Sequence, residues 1–134
     1  IMIVMIGALA PSFGEFLASQ QAKGLSYDLT ADLMLARNEA LKRNASVSIA
    51  RGDTGWDQGW TVATVATHET LSRRNPAAKS VNVSGAPAAI TFDVNGRVAS
   101  PVAAVRITIS SSSSSRCVEL DLAGRVRTQA GACT

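Results

Sequence analysis

Aromatic side chains make up only 4% of this 134-residue chain, and charged ones 17%. One histidine, two cysteines and three lysines complete the list of scarce residues. The single imidazole, His68, stands in no metal motif, no phosphate-binding glycine loop and no nucleophile elbow, so the many Ser and Thr hydroxyls lack a base. Asp53 and Asp57 sit in a Gly-rich loop beside Trp56, where turn chemistry accounts for them without catalysis. The expectation is a protein that is not an enzyme and uses no cofactor. Cys117 and Cys133 come late and alone, with no Cys-x-x-Cys, second His or acidic cluster to make a zinc or redox site. Such a pair is either a disulfide or two unrelated thiols. A disulfide is the favoured reading, and it implies an oxidising compartment.

With 46% hydrophobic residues and no compositional bias toward disorder or collagen, the length fits one globular domain. The formal charge of +3 is too mild to announce a nucleic-acid binder, yet it is unevenly spread. Up to residue 69 there are five basic and seven acidic side chains; from residue 70 there are eight and three. Ten of the thirteen basic residues are Arg, the side chain that grips phosphate or carboxylate with a planar fork.

The first ten residues, Ile1 to Ala10, contain no polar side chain. That run is shorter than the roughly 20 apolar residues needed to span a bilayer. It reads as the remainder of a membrane-spanning helix, with a buried core helix as the other reading. After Pro11-Ser12, Leu25, Leu29, Leu33, Ala36 and Ala40 recur at helical spacing, so an amphipathic helix is expected to about residue 44. Pro11 is expected to kink or locally melt it. A continuous helix from Ile1 to Asn44 would be about 65 Å long at 1.5 Å per residue.

From Ala45 the period changes to two. Val47 and Ile49, Trp60 and Val62, Val81 and Val83, Ile90 and Phe92, Val105, Ile107 and Ile109, and Val118 and Leu120 mark extended segments. Asn95-Gly96 marks a hairpin. The polyserine run Ser110 to Ser115 predicts a mobile hairpin tip. The fold class is α+β: a long helix on a small antiparallel sheet or two-sheet sandwich.

One further constellation is Gly124-Arg125-Val126-Arg127. In an extended segment Arg125 and Arg127 share a face, with Gly124 permitting a tight turn before them. Two forks on one side suit successive backbone phosphates; an ordinary solvated strand face is the competing reading. Trp56 and Trp60 are expected to pack in the core or a loop and not to stack on bases.

An apolar helix interrupted at Pro11-Ser12, continued by an amphipathic helix and followed by a β domain, resembles type IV pilins and pseudopilins. Several segments narrow the likeness: Ala36-Arg37-Asn38-Glu39-Ala40 with Arg43-Asn44, Trp56 with Gly59-Trp60-Thr61-Val62, Ile90-Thr91-Phe92 with Gly96-Arg97, and Gly124-Arg125-Val126-Arg127 between Cys117 and Cys133. Together these resemble the GspH/FimT family of minor pilins and pseudopilins, and the Gly-Arg-x-Arg pattern is most like its FimT branch.

The resemblance implies residues 1–17 as the remainder of a transmembrane helix and residues 18–134 as a periplasmic domain. It also implies an inner-membrane precursor and assembly with other pilin subunits into an extracellular pilus. For the FimT branch it implies weak, sequence-independent capture of double-stranded DNA during natural transformation, with Gly124, Arg125 and Arg127 at the contact and Arg116 next. The alternative it implies is a structural subunit that primes or caps a pilus or secretion pseudopilus. That subunit would use the helix from Leu25 to Leu41 and the rim of the β domain.

Overall fold

The computed structural model describes residues 3–77 and 79–133, with side-chain surroundings from residue 13 onward. Ile1 and Met2 of the apolar run, and the side chains up to position 12, lie outside that description. Helix α1 (Ile3–Arg43) runs without a break through position 11, so the melting expected at Pro11 does not occur. An interior proline costs about 3 kcal/mol through its missing donor and its ring, and the remaining turns of the 41-residue helix offset that. Among the described residues no helix is long and apolar enough to cross a membrane.

The far end of α1 is closed by local chemistry. Lys42 and Arg43 complement the dipole in the last turn. Asn44 then turns left-handed (φ 52°), and the Ala45 amide donates back to the Ala40 carbonyl at 3.2 Å, a Schellman closure.

Among the described residues nine strands follow: β1 (Val47–Arg51), β2 (Trp60–Thr64), β3 (Thr70–Arg74), β4 (Asn82–Ser84), β5 (Ala89–Phe92), β6 (Val98–Ser100), β7 (Val105–Ser110), β8 (Ser115–Leu120) and β9 (Val126–Ala130). They form two antiparallel sheets, ordered β3-β2-β1-β5-β6 and β4-β7-β8-β9. The expected alternation is thus real, but it is split between two sheets. The helix covers both, packing Leu25, Leu29, Leu33, Ala36 and Ala40 against Val47, Ile49, Val62, Ile90 and Phe92 of one and Ile107, Ile109, Val118 and Leu120 of the other. Burying an aliphatic side chain of this size contributes roughly 1.5–3 kcal/mol, so these residues dominate the stability.

Two polar features tie the helix to the sheets. Buried Asp32 accepts the Trp60 indole N–H at 2.7 Å and the Arg74 guanidinium at 3.0 Å. Trp56, in a 3-10 turn, donates to the Pro87 carbonyl at 2.6 Å and lies 5.9 Å from the Trp60 ring. Both indoles are core residues, as expected.

The serine run departs from expectation. Ser110 and Ser115 belong to β7 and β8, so only Ser111–Ser114 form the tip. That tip is held onto α1: Ser113 Oγ donates to the Glu15 carbonyl at 3.3 Å, and Ser114 Oγ bonds Ser19 Oγ at 3.1 Å. Small hydroxyl side chains let the hairpin approach the helix backbone, so the run serves as a clasp and not as a free tip.

Candidate functional site

Two turns of the same construction meet at the end of the domain where α1 stops. Asp93–Arg97 joins β5 to β6, and Asp121–Arg125 joins β8 to β9. In the first, the Gly96 amide donates to the Asp93 carbonyl and the Asp93 amide to the Arg97 carbonyl, both at 2.9 Å. In the second, the equivalent bonds from Gly124 and Asp121 measure 3.0 and 3.1 Å. Each glycine is left-handed, φ 75° at Gly96 and 89° at Gly124, the bulge position of a three-residue hairpin loop. Each aspartate caps its own turn: Asp93 Oδ1 accepts the Arg97 amide at 3.1 Å, and Asp121 Oδ1 the Arg125 amide at 2.9 Å. The chain announces this duplication as Asp93-Val94-Asn95-Gly96-Arg97-Val98 and Asp121-Leu122-Ala123-Gly124-Arg125-Val126. The expectations above had a hairpin at the first copy and only a turn-permitting glycine at the second.

The turns stack. The Val98 amide donates to the Leu122 carbonyl at 3.0 Å, and Gly124 lies so close to the Gly96 carbonyl that a Cβ there would overlap it. Arg37, on α1, donates from Nε to that same carbonyl at 3.1 Å and borders Gly124 as well. The glycine of the Gly-Arg-x-Arg pattern therefore has a packing role.

The arginines that follow it are exposed. Arg125 and Arg127 keep 78% and 81% of their side-chain surface, while Val126 between them packs partly on the core. Each is already engaged: Arg125 Nε donates to Asp121 Oδ2 at 2.8 Å and Arg127 to Glu119 Oε2 at 3.0 Å. The Arg125 backbone N–H, and then its guanidinium, hold the Asp121 carboxyl below its ordinary value. With Met34 and Arg37 these residues line a groove of about 500 Å³ between α1 and β9. Three guanidiniums facing two carboxylates leave it only weakly positive.

Arg116 is not brought to this place. The register pairs Arg116 with Ala130 and Glu119 with Arg127, so strand alternation puts Arg116 on the helix-facing side of the sheet and Arg127 on the other. There Arg116 lies 5.9 Å over the Tyr27 ring. Arg74 is tied to Asp32, and Arg97 is exposed on the first turn at the place Arg125 holds on the second. Cys117 and Cys133 form the expected disulfide. It folds the C-terminal residues over β7, where the Cys133 amide donates to Thr108 Oγ1 at 3.3 Å. Among the described residues no group of three His, Cys, Asp or Glu side chains could hold a metal ion.

The helix supplies a second surface, and here an expectation needs correction. Leu25, Leu29 and Leu33 are sealed in the core, so the span from Leu25 to Leu41 cannot as a whole be a docking face. Among the described residues the large exposed apolar side chains of α1 are instead Phe13, Phe16, Leu17, Tyr27, Met34 and Leu41, off the buried face, with Met34 bordering the β9 groove and Leu41 the Gly96 turn. Their spacings of three, one, ten, seven and seven keep them on one broad stripe.

No curated protein matches the chain in sequence. Its fold is similar to that of the type IV minor pilin FimU of Pseudomonas aeruginosa: TM-score 0.72, 21% identity, covering 89% of this chain and 99% of that one. A second crystal form of FimU gives 0.68 at 22% identity, covering 84% and 99%. The minor pseudopilin EpsH from the type 2 secretion system of Vibrio cholerae gives 0.63 at 13% identity, covering 82% and 97%. These likenesses establish a pilin-like fold. Residues 26–124, well over half of the chain and running from α1 through the Gly96 turn as far as Gly124, match the family described as type II transport protein GspH; the chain belongs to that family.

Proposed function

We propose that this chain is a structural subunit, a minor pilin or pseudopilin, that enters a type IV pilus or a type II secretion pseudopilus through the exposed face of α1. The observation that carries this reading is the apolar stripe Phe13, Phe16, Leu17, Tyr27, Met34 and Leu41, left in solvent on a helix whose opposite face is buried from Ala18 to Ala40. An exposed apolar row of this length is a contact surface awaiting a partner. The likeness to FimU and EpsH supports that partner being other pilin-type subunits, with the apolar residues before Phe13 holding the precursor in the inner membrane. The test is complementation of a strain lacking the gene. Met34→Asp with Leu41→Asp leaves the domain folded and abolishes filament or secretion activity; normal assembly by this variant would overturn the reading.

A second reading, from the FimT-like Gly-Arg-x-Arg pattern, is capture of double-stranded DNA by Arg125 and Arg127. Their exposure of 78% and 81% supports it. Their ion pairs weigh against it, because each must leave a carboxylate before it takes a phosphate. Anisotropy titrations of a short duplex across a salt series decide this reading. Each phosphate contact contributes about 0.9 to the logarithmic salt slope, so Arg125→Ala with Arg127→Ala should flatten it by roughly two. Coincident curves for wild type and variant would reject DNA contact at this motif.

A further inference from the structure

Of the four edge strands among the described residues, β9 is the one suited to accept another strand. β4 and β6 have three residues each, and β3 carries a register irregularity where it pairs with β2. β9 has five residues, no proline, regular pairing with β8 and four exposed positions. Among the described residues, nothing pairs with its outer side. An unpaired edge of this kind is a template for strand addition unless charge, bulge or cover prevents it.

The hydrogen-bond phase says which groups are on offer. The Asp121 amide donates to the Arg125 carbonyl at 3.1 Å before the strand, and the Gly131 amide to the Ser115 carbonyl at 2.8 Å after it. Antiparallel alternation between those points turns the backbone groups of Arg127 and Gln129 toward β8. Those of Val126, Thr128 and Ala130 point outward.

We propose that β9 pairs antiparallel with β9 of a second copy, about a two-fold axis at Thr128. This register makes Thr128 face Thr128 and Val126 face Ala130, so every outward N–H meets an outward carbonyl. It also sets Arg127 opposite Gln129 and not opposite the other Arg127. The electrostatic objection is reduced within each chain, because Glu119, which also faces Arg106 at 4.0 Å, pairs with Arg127 at 3.0 Å and accepts the Gln129 amide at 3.2 Å. A two-fold contact is self-complementary by construction, and this edge meets that condition residue by residue.

The test uses the 134-residue chain in mild detergent with its native disulfide intact. Thr128→Cys, whose partner Cα should lie about 5.5 Å away in such a pair, is oxidised beside Thr70→Cys on β3 as a distant control. Covalent dimer should form at least tenfold faster at position 128. Sedimentation of Thr128→Pro, which removes an outward donor without touching the β8 ladder, should show association weakened at least tenfold, with Thr128→Val unchanged. Circular dichroism establishes that the proline variant is folded; if it is not, the cross-linking rates decide. Equal cross-linking at positions 128 and 70 overturns the proposal. So does association of folded Thr128→Pro that matches wild type, as from contact through the helices, or a chain that stays monomeric and leaves β9 for a strand of a different subunit.

Discussion

Gly124 packs directly on the carbonyl oxygen of Gly96, bringing two hairpin turns from different sheets into backbone contact. Neither glycine can be replaced freely, since both are left-handed and both border Arg37. The contact closes the domain at the helix C-terminal end and sets where Arg125 and Arg127 emerge.

Gly124→Ala should cost the left-handed penalty of about 1–2 kcal/mol plus the displacement of a backbone carbonyl. Gly131→Ala isolates the first term, because Gly131 has a similar φ of 88° with nothing within 4 Å of an added Cβ. Urea unfolding of both variants should show Gly124→Ala the more destabilised; equal losses would mean that the turn contact carries no energy.

Asp32 links α1 to both Trp60 and Arg74, and its side chain is only 7% exposed. Asp32→Ala leaves a buried indole N–H unpaired and releases Arg74, which is partly exposed and regains water. A loss of roughly 2–3 kcal/mol is expected, below that for a fully buried pair. Trp60→Phe, which spares the Arg74 contact, should cost less than Asp32→Ala through this network. Thermal melts of Asp32→Ala and Asp32→Asn measure how much of the loss belongs to charge.

Reducing the Cys117–Cys133 disulfide frees a loop spanning 16 positions, worth about 3 kcal/mol in the chain-entropy account. The midpoint of urea unfolding should fall in the presence of reductant. The β8–β9 pairing should persist, because its register does not depend on the bridge. Unchanged stability on complete reduction would show that the tail is held by its other contacts.

The Asp121 carboxyl lies below its ordinary value of 3.8, chiefly through the Arg125 backbone N–H and then its guanidinium. Glu39 is lowered too, chiefly by the side-chain hydrogen bond from Arg43. An ionised form favoured in the folded state adds stability above the unfolded pKa, and that increment disappears as pH falls through the lower folded value. The stability of the wild type should therefore decline below about pH 4, and Asp121→Asn should make the decline shallower. Carboxyl titration by NMR gives the sign directly: an Asp121 midpoint at or above that of a free aspartate would refute the assignment.

Much of this architecture is written locally. Leu25, Leu29, Leu33, Ala36 and Ala40 declare the buried helix face because the 3.6-residue period is indifferent to what lies opposite. Val47 and Ile49 or Ile107 and Ile109 declare strands in the same way. Asp-x-x-Gly-Arg-Val states its turn geometry twice, through a capping carboxylate and a left-handed glycine. Less legible were the clasp made by the serine tip and the separation of Arg116 from Arg127. Both depend on which element lies across from which, and neither the hydroxyl run nor the charge spacing encodes that.

The amino-acid order by itself determined the long helix, its end near Asn44, the strands β1, β2, β4, β5, β7 and β8, the hairpin at Gly96 and the shared face of Arg125 and Arg127, because each follows from torsional preference or periodicity, whereas β3 and β6 carry no such alternation. Tertiary structure alone decided that the strands divide between two sheets, that Gly124 must meet Gly96, that Asp32 is the acceptor for Trp60 and Arg74, and that β9 is left with an open edge. Those outcomes are set by packing and by hydrogen bonds between residues far apart in the chain, where the requirement that every buried polar group find a partner selects one arrangement among many with the same local pattern.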